Sequence, residues 1–171
     1  KLSEKKESQE ICFIPDNDYR RFLRENVSNI DNKLSGGNFI DTNGDYLGKH
    51  KGFPFYTIGQ RKGLEIAVGH PLYVIEIDAE TNTVILGKKH ELLKKHMKVS
   101  PFTLNKYTSL KDNSRFDVKI RYRSKSVPCK TKVNHNHLDV EFIEPVSAVT
   151  PGQSAVFYEN NDLIGGGIIS A

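Results

Sequence analysis

Phe116-Asp117-Val118-Lys119-Ile120-Arg121-Tyr122-Arg123 is the stretch that decides how this chain folds. Phe116, Val118, Ile120 and Tyr122 alternate with Asp117, Lys119, Arg121 and Arg123 in a strict period of two. Successive side chains of an extended backbone point to opposite faces, so this is the signature of a half-buried strand. The same alternation returns at Leu138, Val140 and Phe142 against Asp139 and Glu141. Residues 155–158 and 163–169 flank an Asn160-Asn161-Asp162 turn. Several short strands at this spacing predict a small β-barrel.

Upstream the signals are again strand and turn. Phe39-Ile40-Asp41 and Tyr46-Leu47-Gly48 enclose Asn43-Gly44, a dipeptide that tolerates the positive φ of a tight hairpin. A second hairpin is predicted from 72–78 and 83–87 across Ala79-Glu80-Thr81-Asn82. Residues 16–25 read as a short helix capped by Asp16, with Tyr19, Phe22 and Leu23 on one face. Residues 26–37, rich in Asn, Asp, Ser and Gly, read as a linker. A helical segment over 89–95 is expected between the two β units. The fold class is therefore mainly β: a small central β domain and a C-terminal β-barrel behind a short helical N-terminal remnant.

Composition sets outer limits. The only methionine is Met97 and the chain opens on Lys1, so it reads as a fragment or a processed product. No apolar run is long enough to span a membrane, and the polar stretch 1–10 does not read as a signal peptide. Two cysteines make no disulfide framework and match no zinc spacing, which suits a reducing, cytoplasmic setting. Net charge is +4, but the positive charge is clustered. Lys88, Lys89, Lys94, Lys95 and Lys98 form one group; Arg115, Lys119, Arg121, Arg123, Lys125, Lys130 and Lys132 form another against Asp117 alone. Clusters of this kind permit nucleic-acid binding, although a charge run is more often a solvated face.

Few constellations suggest chemistry. Cys12, between Ile11 and Phe13, suits packing as well as reactivity, since a working thiolate needs an electropositive, partly exposed setting. Cys129 reads as packing. His135-Asn136-His137 reads as a hairpin tip rather than a ligand set, and His90-Glu91 lacks the second histidine of a zinc-protease signature, so no metal is expected. No phosphate-binding glycine loop is visible; Gly165-Gly166-Gly167 falls inside a strand pattern, where glycine permits close packing. Two elements suit RNA. On a strand, Lys119, Arg121 and Arg123 would share a face about 7 Å apart, near the phosphate spacing of an extended single strand. The Gly-bounded loop Gln60-Arg61-Lys62 presents an amide and two cations.

Four motifs, in order, carry a family resemblance: Ile11-Cys12-Phe13, Tyr56-Thr57-Ile58-Gly59-Gln60-Arg61-Lys62-Gly63-Leu64, Arg121-Tyr122-Arg123 with Pro128-Cys129, and Thr150-Pro151-Gly152-Gln153-Ser154-Ala155-Val156-Phe157-Tyr158. With them the chain resembles the C-terminal part of the tRNA-specific 2-thiouridylases. The resemblance implies that 1–25 is the edge of a catalytic domain, 26–95 a central domain and 96–171 a barrel like those of translation factors. It implies a tRNA-uridine 2-sulfurtransferase, acting on the wobble uridine with ATP bound by an upstream domain. No cofactor is then expected in this stretch, which should be inactive alone. Cys12 matches the persulfide-bearing cysteine, which a second, upstream cysteine resolves as a disulfide. Arg121 and Tyr122 match the barrel pair that meets tRNA, and Gln153 a further tRNA contact. In that turn Pro151 and Gly152 suit type II geometry. Expected partners are tRNA and a persulfide sulfur-donor protein, with no membrane. The rival reading is a stand-alone, non-enzymatic RNA-binding barrel with Cys12 inert.

Overall fold

The computed structural model describes residues 18–30, 34, 36–122 and 124–170; Cys12, Asp16 and Arg123 lie outside them. Helix α1 spans Tyr19–Asn26, and its cap is Asp18, whose carboxylate accepts from the Arg21 N–H at 3.0 Å. An N-cap oxygen satisfies one of the amides that the first turn leaves unpaired. The helix thus ends one residue beyond the predicted 25. The expected linker is not wholly solvated, because Ile30 is buried.

Both predicted hairpins form. β1 (Gly37–Asp41) and β2 (Tyr46–His50) pair antiparallel around the Asn43-Gly44 turn, and β3 (Tyr73–Asp78) and β4 (Thr83–Gly87) follow. The strands make a four-stranded sheet in the order β2-β1-β4-β3. Behind β1, Phe39, His50 and Tyr56 pack edge to face with ring centroids 5.1–5.5 Å apart, an arrangement aromatic quadrupoles favour. The Arg24 guanidinium lies over the Phe55 ring at 5.2 Å.

The predicted helix over 89–95 is only a 3₁₀ turn at Lys89–Leu92, where the Glu91 carboxylate accepts from the Lys88 N–H at 2.6 Å. From Leu93 the chain is already strand. The reason is pairing: Leu93 and Lys94 lie opposite Ser147 and Val146, and those ladder bonds outweigh the local helical preference of lysine and leucine.

Six strands then close a barrel: β5 (Leu93–Leu104), β6 (Ser114–Lys119), β7 (Val127–Asn134), β8 (His137–Ser147), β9 (Ser154–Glu159) and β10 (Asp162–Ser170). The order around it is β10-β5-β8-β7-β6-β9. The alternation read from sequence sets the interior: Phe116, Val118, Leu138, Val140 and Phe142 are buried, joined by Val99, Cys129, Ala155, Phe157, Ile164 and Ile169. Closure removes the open edges that would otherwise recruit other strands. Gly165, Gly166 and Gly167 make it possible on β10, since a side chain there would collide with the carbonyls of Thr103, Ala155 and Pro101.

The described chain forms two compact units. One ends at Thr57 and includes Ile77–Ile85; the other comprises Ile58–Glu76 and Leu86–Ala171. Among the described residues no helix is long and apolar enough to cross a membrane.

Candidate nucleic-acid interface

The strand that opened the sequence reading is shorter than its alternation. β6 ends at Lys119, paired with Val156 of β9. β7 begins at Val127 opposite Val118, so beyond Lys119 the chain has no β7 partner and must turn back within a few residues. Ile120 still reaches the core, but Arg121 starts a turn in which the Ser124 N–H and hydroxyl donate to the Arg121 carbonyl at 3.1 and 2.8 Å. The expected shared face of Lys119 and Arg121 on one continuous strand is thereby corrected. Tyr122 also departs from the alternation: it is 72% exposed instead of entering the core. The Lys119 ammonium sits 5.2 Å from its ring centroid, a cation–π arrangement that holds the ring at the barrel mouth.

At that mouth Arg121 meets the turn that carries Gln153. In Thr150-Pro151-Gly152-Gln153 the Gln153 N–H donates to the Thr150 carbonyl at 3.3 Å and Gly152 has φ +85°, the type II geometry expected of a Pro-Gly pair. The turn is sewn to β10, with Gly152 N–H donating to the Ile169 carbonyl and Ile169 N–H to the Gln153 carbonyl, both at 2.8 Å. Just before it, buried Ala148 holds φ +56°, a conformation in which Cβ crowds the backbone at a cost of about 1–2 kcal/mol. Three bonds pin Ala148. Its N–H donates to Leu92, and its carbonyl accepts from Arg121 Nη2 at 2.9 Å and from the Thr150 hydroxyl at 3.1 Å. Nothing in the sequence assigned Ala148 or the Thr150 hydroxyl a role of its own; alanine carries no signal for a left-handed backbone.

The Gln60 loop adjoins the same residue. Gly59 (φ +87°) and Gly63 (φ +74°) bound it, and Gly59 N–H and Gln60 C=O are tied to Val74. Ile58 packs with buried Ile75, Leu92 and Ala148. A methyl at Gly59 would lie 3.2 Å from the Ala148 Cβ. The Gln60 amide donates to the Lys62 carbonyl at 2.9 Å, while Arg61 and Lys62 are exposed. Ala148 is thus the hub between the Gln60–Lys62 loop, Arg121 and the Gln153 turn. Cys12 and Arg123 fall outside the described residues; of the expected site residues, Gln60, Arg61, Lys62, Arg121, Tyr122 and Gln153 are described.

Part of the basic clusters elsewhere faces acids. On the outer wall, Lys130 and Lys132 of β7 lie opposite Glu141 and Asp139 of β8, which on their other side face His96 and Lys98 of β5. Lys95 Nζ is 3.9 Å from Glu141, and His137 Nε2 is 3.2 Å from Asp139. A hydrogen bond from Asn134, with His137 and Lys98 nearby, holds the Asp139 carboxyl below its ordinary range. At the opposite end of the barrel from Arg121, Lys106 bridges Glu159 and Asp162 at 2.7 and 2.8 Å.

Cys129 is inert packing. It is 1% exposed, and burial, with Asp117 adding repulsion, pushes its thiol up to about 12. Among the described residues no three metal-ligating side chains converge.

The four-stranded sheet and the closed barrel define a chain built of two β domains. Residues 21–88 match the tRNA methyl transferase PRC-barrel domain, and 94–169 the aminomethyltransferase beta-barrel domain. Full-length relatives make the assignment specific. The chain is 49% identical to the tRNA-specific 2-thiouridylase MnmA 3 of Phocaeicola vulgatus, over 96% of this chain and 44% of that protein. The tRNA-specific 2-thiouridylases MnmA of Salinibacter ruber and Carboxydothermus hydrogenoformans are 44% and 43% identical, each over 98% of this chain and 44% and 45% of their own lengths. The chain belongs to the tRNA-specific 2-thiouridylase family, and it spans a little under half the length of the curated relatives it matches.

Proposed function

We propose that this chain is the tRNA-docking part of an ATP-dependent sulfurtransferase that converts a tRNA wobble uridine to 2-thiouridine. One observation carries the reading: the Gln60–Lys62 loop, the Arg121–Tyr122 pair and the Gln153 turn, distant in sequence, gather around Ala148. Their chemistry suits RNA. Arg61 and Lys62 are exposed cations for phosphates, Tyr122 is an exposed ring for a base face, and Gln153 has an amide that both donates and accepts.

In the full reaction, ATP bound on an upstream domain activates the uridine 2-oxygen as a leaving group. Cys12 carries the incoming sulfur as a persulfide received from a donor protein. Its terminal sulfur attacks C2, AMP departs, and a second cysteine releases the sulfur while forming a disulfide with Cys12. The buried, high-pKa Cys129 is chemically unsuited to that role.

The deciding experiment measures 2-thiouridine in tRNA treated with the parent protein, ATP and a sulfur donor, comparing Cys12→Ser with wild type. Loss of the modification with tRNA affinity retained is the expected result. Full thiolation by the variant would remove Cys12 from the chemistry, and absence of tRNA binding by the wild-type chain would overturn the docking reading.

A further inference from the structure

On the tRNA-docking reading, we infer that Arg121 is a positioning residue: it locks the Ala148–Gln153 segment in the shape that offers Gln153 to the RNA, and its guanidinium is not primarily a phosphate ligand. The donor geometry is the first ground. Arg121 Nη2 lies 2.9 Å from the Ala148 carbonyl and 3.4 Å from the Thr150 hydroxyl, so one nitrogen of the fork holds both. The second ground is the backbone it holds. Ala148 has φ +56°, and a β-carbon in that region persists only where neighbours over-determine it. Without Arg121 the strained carbonyl is left to the Thr150 hydroxyl at 3.1 Å. The third ground is connectivity. Thr150 accepts the hydrogen bond that closes the Gln153 turn, so loosening residues 148–150 loosens the start of that turn directly.

Charge and shape separate a clamp from a phosphate contact. A phosphate is satisfied by any well-placed cation, and each such contact contributes about 0.7–0.9 to the slope of log affinity against log salt. A clamp needs a donor where Nη2 sits, at the end of the longer arginine side chain, and the ammonium of the shorter lysine does not occupy that place. Binding of an unmodified tRNA transcript is therefore measured over a salt series for wild type, Arg121→Lys, Arg121→Ala, Gln153→Ala and the Arg121→Ala/Gln153→Ala double variant. Amide hydrogen exchange at Gly152 and Gln153 and a thermal melt accompany each.

Arg121→Lys is expected to lose about tenfold in affinity, as Arg121→Ala does, while keeping the wild-type salt slope. Gln153→Ala should add little in the Arg121→Ala background, and exchange at Gly152 and Gln153 should rise in both Arg121 variants with the melting temperature nearly unchanged. Wild-type affinity for Arg121→Lys, together with a slope lowered by nearly one unit in Arg121→Ala, would overturn the clamp in favour of a phosphate contact. Should the wild-type chain fail to bind the transcript, the tRNA reading falls by itself. The exchange data still decide the clamp, which unchanged protection at Gly152 and Gln153 would refute.

Discussion

The wall of the barrel and its mouth contain similar numbers of cations and differ in what surrounds them. On the wall, the acids of β8 stand between the bases of β5 and β7, so Lys98, Lys130 and Lys132 each have a carboxylate opposite. At the mouth, Arg61 and Lys62 lie exposed on a loop, and Lys119 and Arg121 act on Tyr122 and Ala148. The contrast teaches that a basic run in sequence says little about field. Strand pairing interleaved Asp139 and Glu141 with lysines that looked unopposed, and each acid offsets part of the charge of its basic neighbours.

The largest expected effect tests the mouth. Replacing Tyr122, Arg61 and Lys62 together by Ala should weaken tRNA binding about 100-fold and lower the salt slope by roughly 1.4 to 1.8, from one lost stacking platform and two lost cations. A smaller change would move the RNA surface elsewhere. Next in size is the attempt to convert the wall: Asp139→Asn with Glu141→Gln should raise affinity for tRNA several-fold and steepen the salt slope, because it exposes lysines that now face acids. No gain in anisotropy titrations would mean the wall lies too far from the bound RNA to matter.

Smaller still is the loss expected on removing Lys98, Lys130 and Lys132 together, under about threefold with little change in slope, since each faces an acid that offsets part of its charge. A loss matching that of the mouth triple would reverse the comparison. The slightest effect is on stability against pH. Asp139 is held below its ordinary value mainly by the Asn134 hydrogen bond. Its contribution is therefore present above the ordinary carboxylate pKa and is lost as pH falls below about 4, through the lowered folded value. Asp139→Asn should flatten that acid limb of a thermal-melt series.

Val118, Val140 and Phe142 were placed in the core by period alone, because a closed barrel buries one face of every strand and leaves the other to polar residues. The Asn43-Gly44 hairpin and the Pro151-Gly152 turn were legible because their backbone angles belong to those residue types. Alternation alone would turn Tyr122 inward, since it cannot register that a strand loses its partner. Leu93–Lys95 was misassigned for the converse reason, a distant partner at Val146 and Ser147.

By itself, then, the sequence determined the mainly β class, the alternation of the barrel, the turns that φ-tolerant residues demand, and the family to which the motifs belong. Those are properties of short windows, in which side-chain chemistry and backbone preference suffice. Only the tertiary structure decided that β6 stops at Lys119, that wall lysines meet acids from another strand, and that Ala148 joins Arg121, the Gln60 loop and the Gln153 turn. Those depend on which residues meet across the closed barrel, and pairing between segments tens of residues apart leaves no trace in either segment alone.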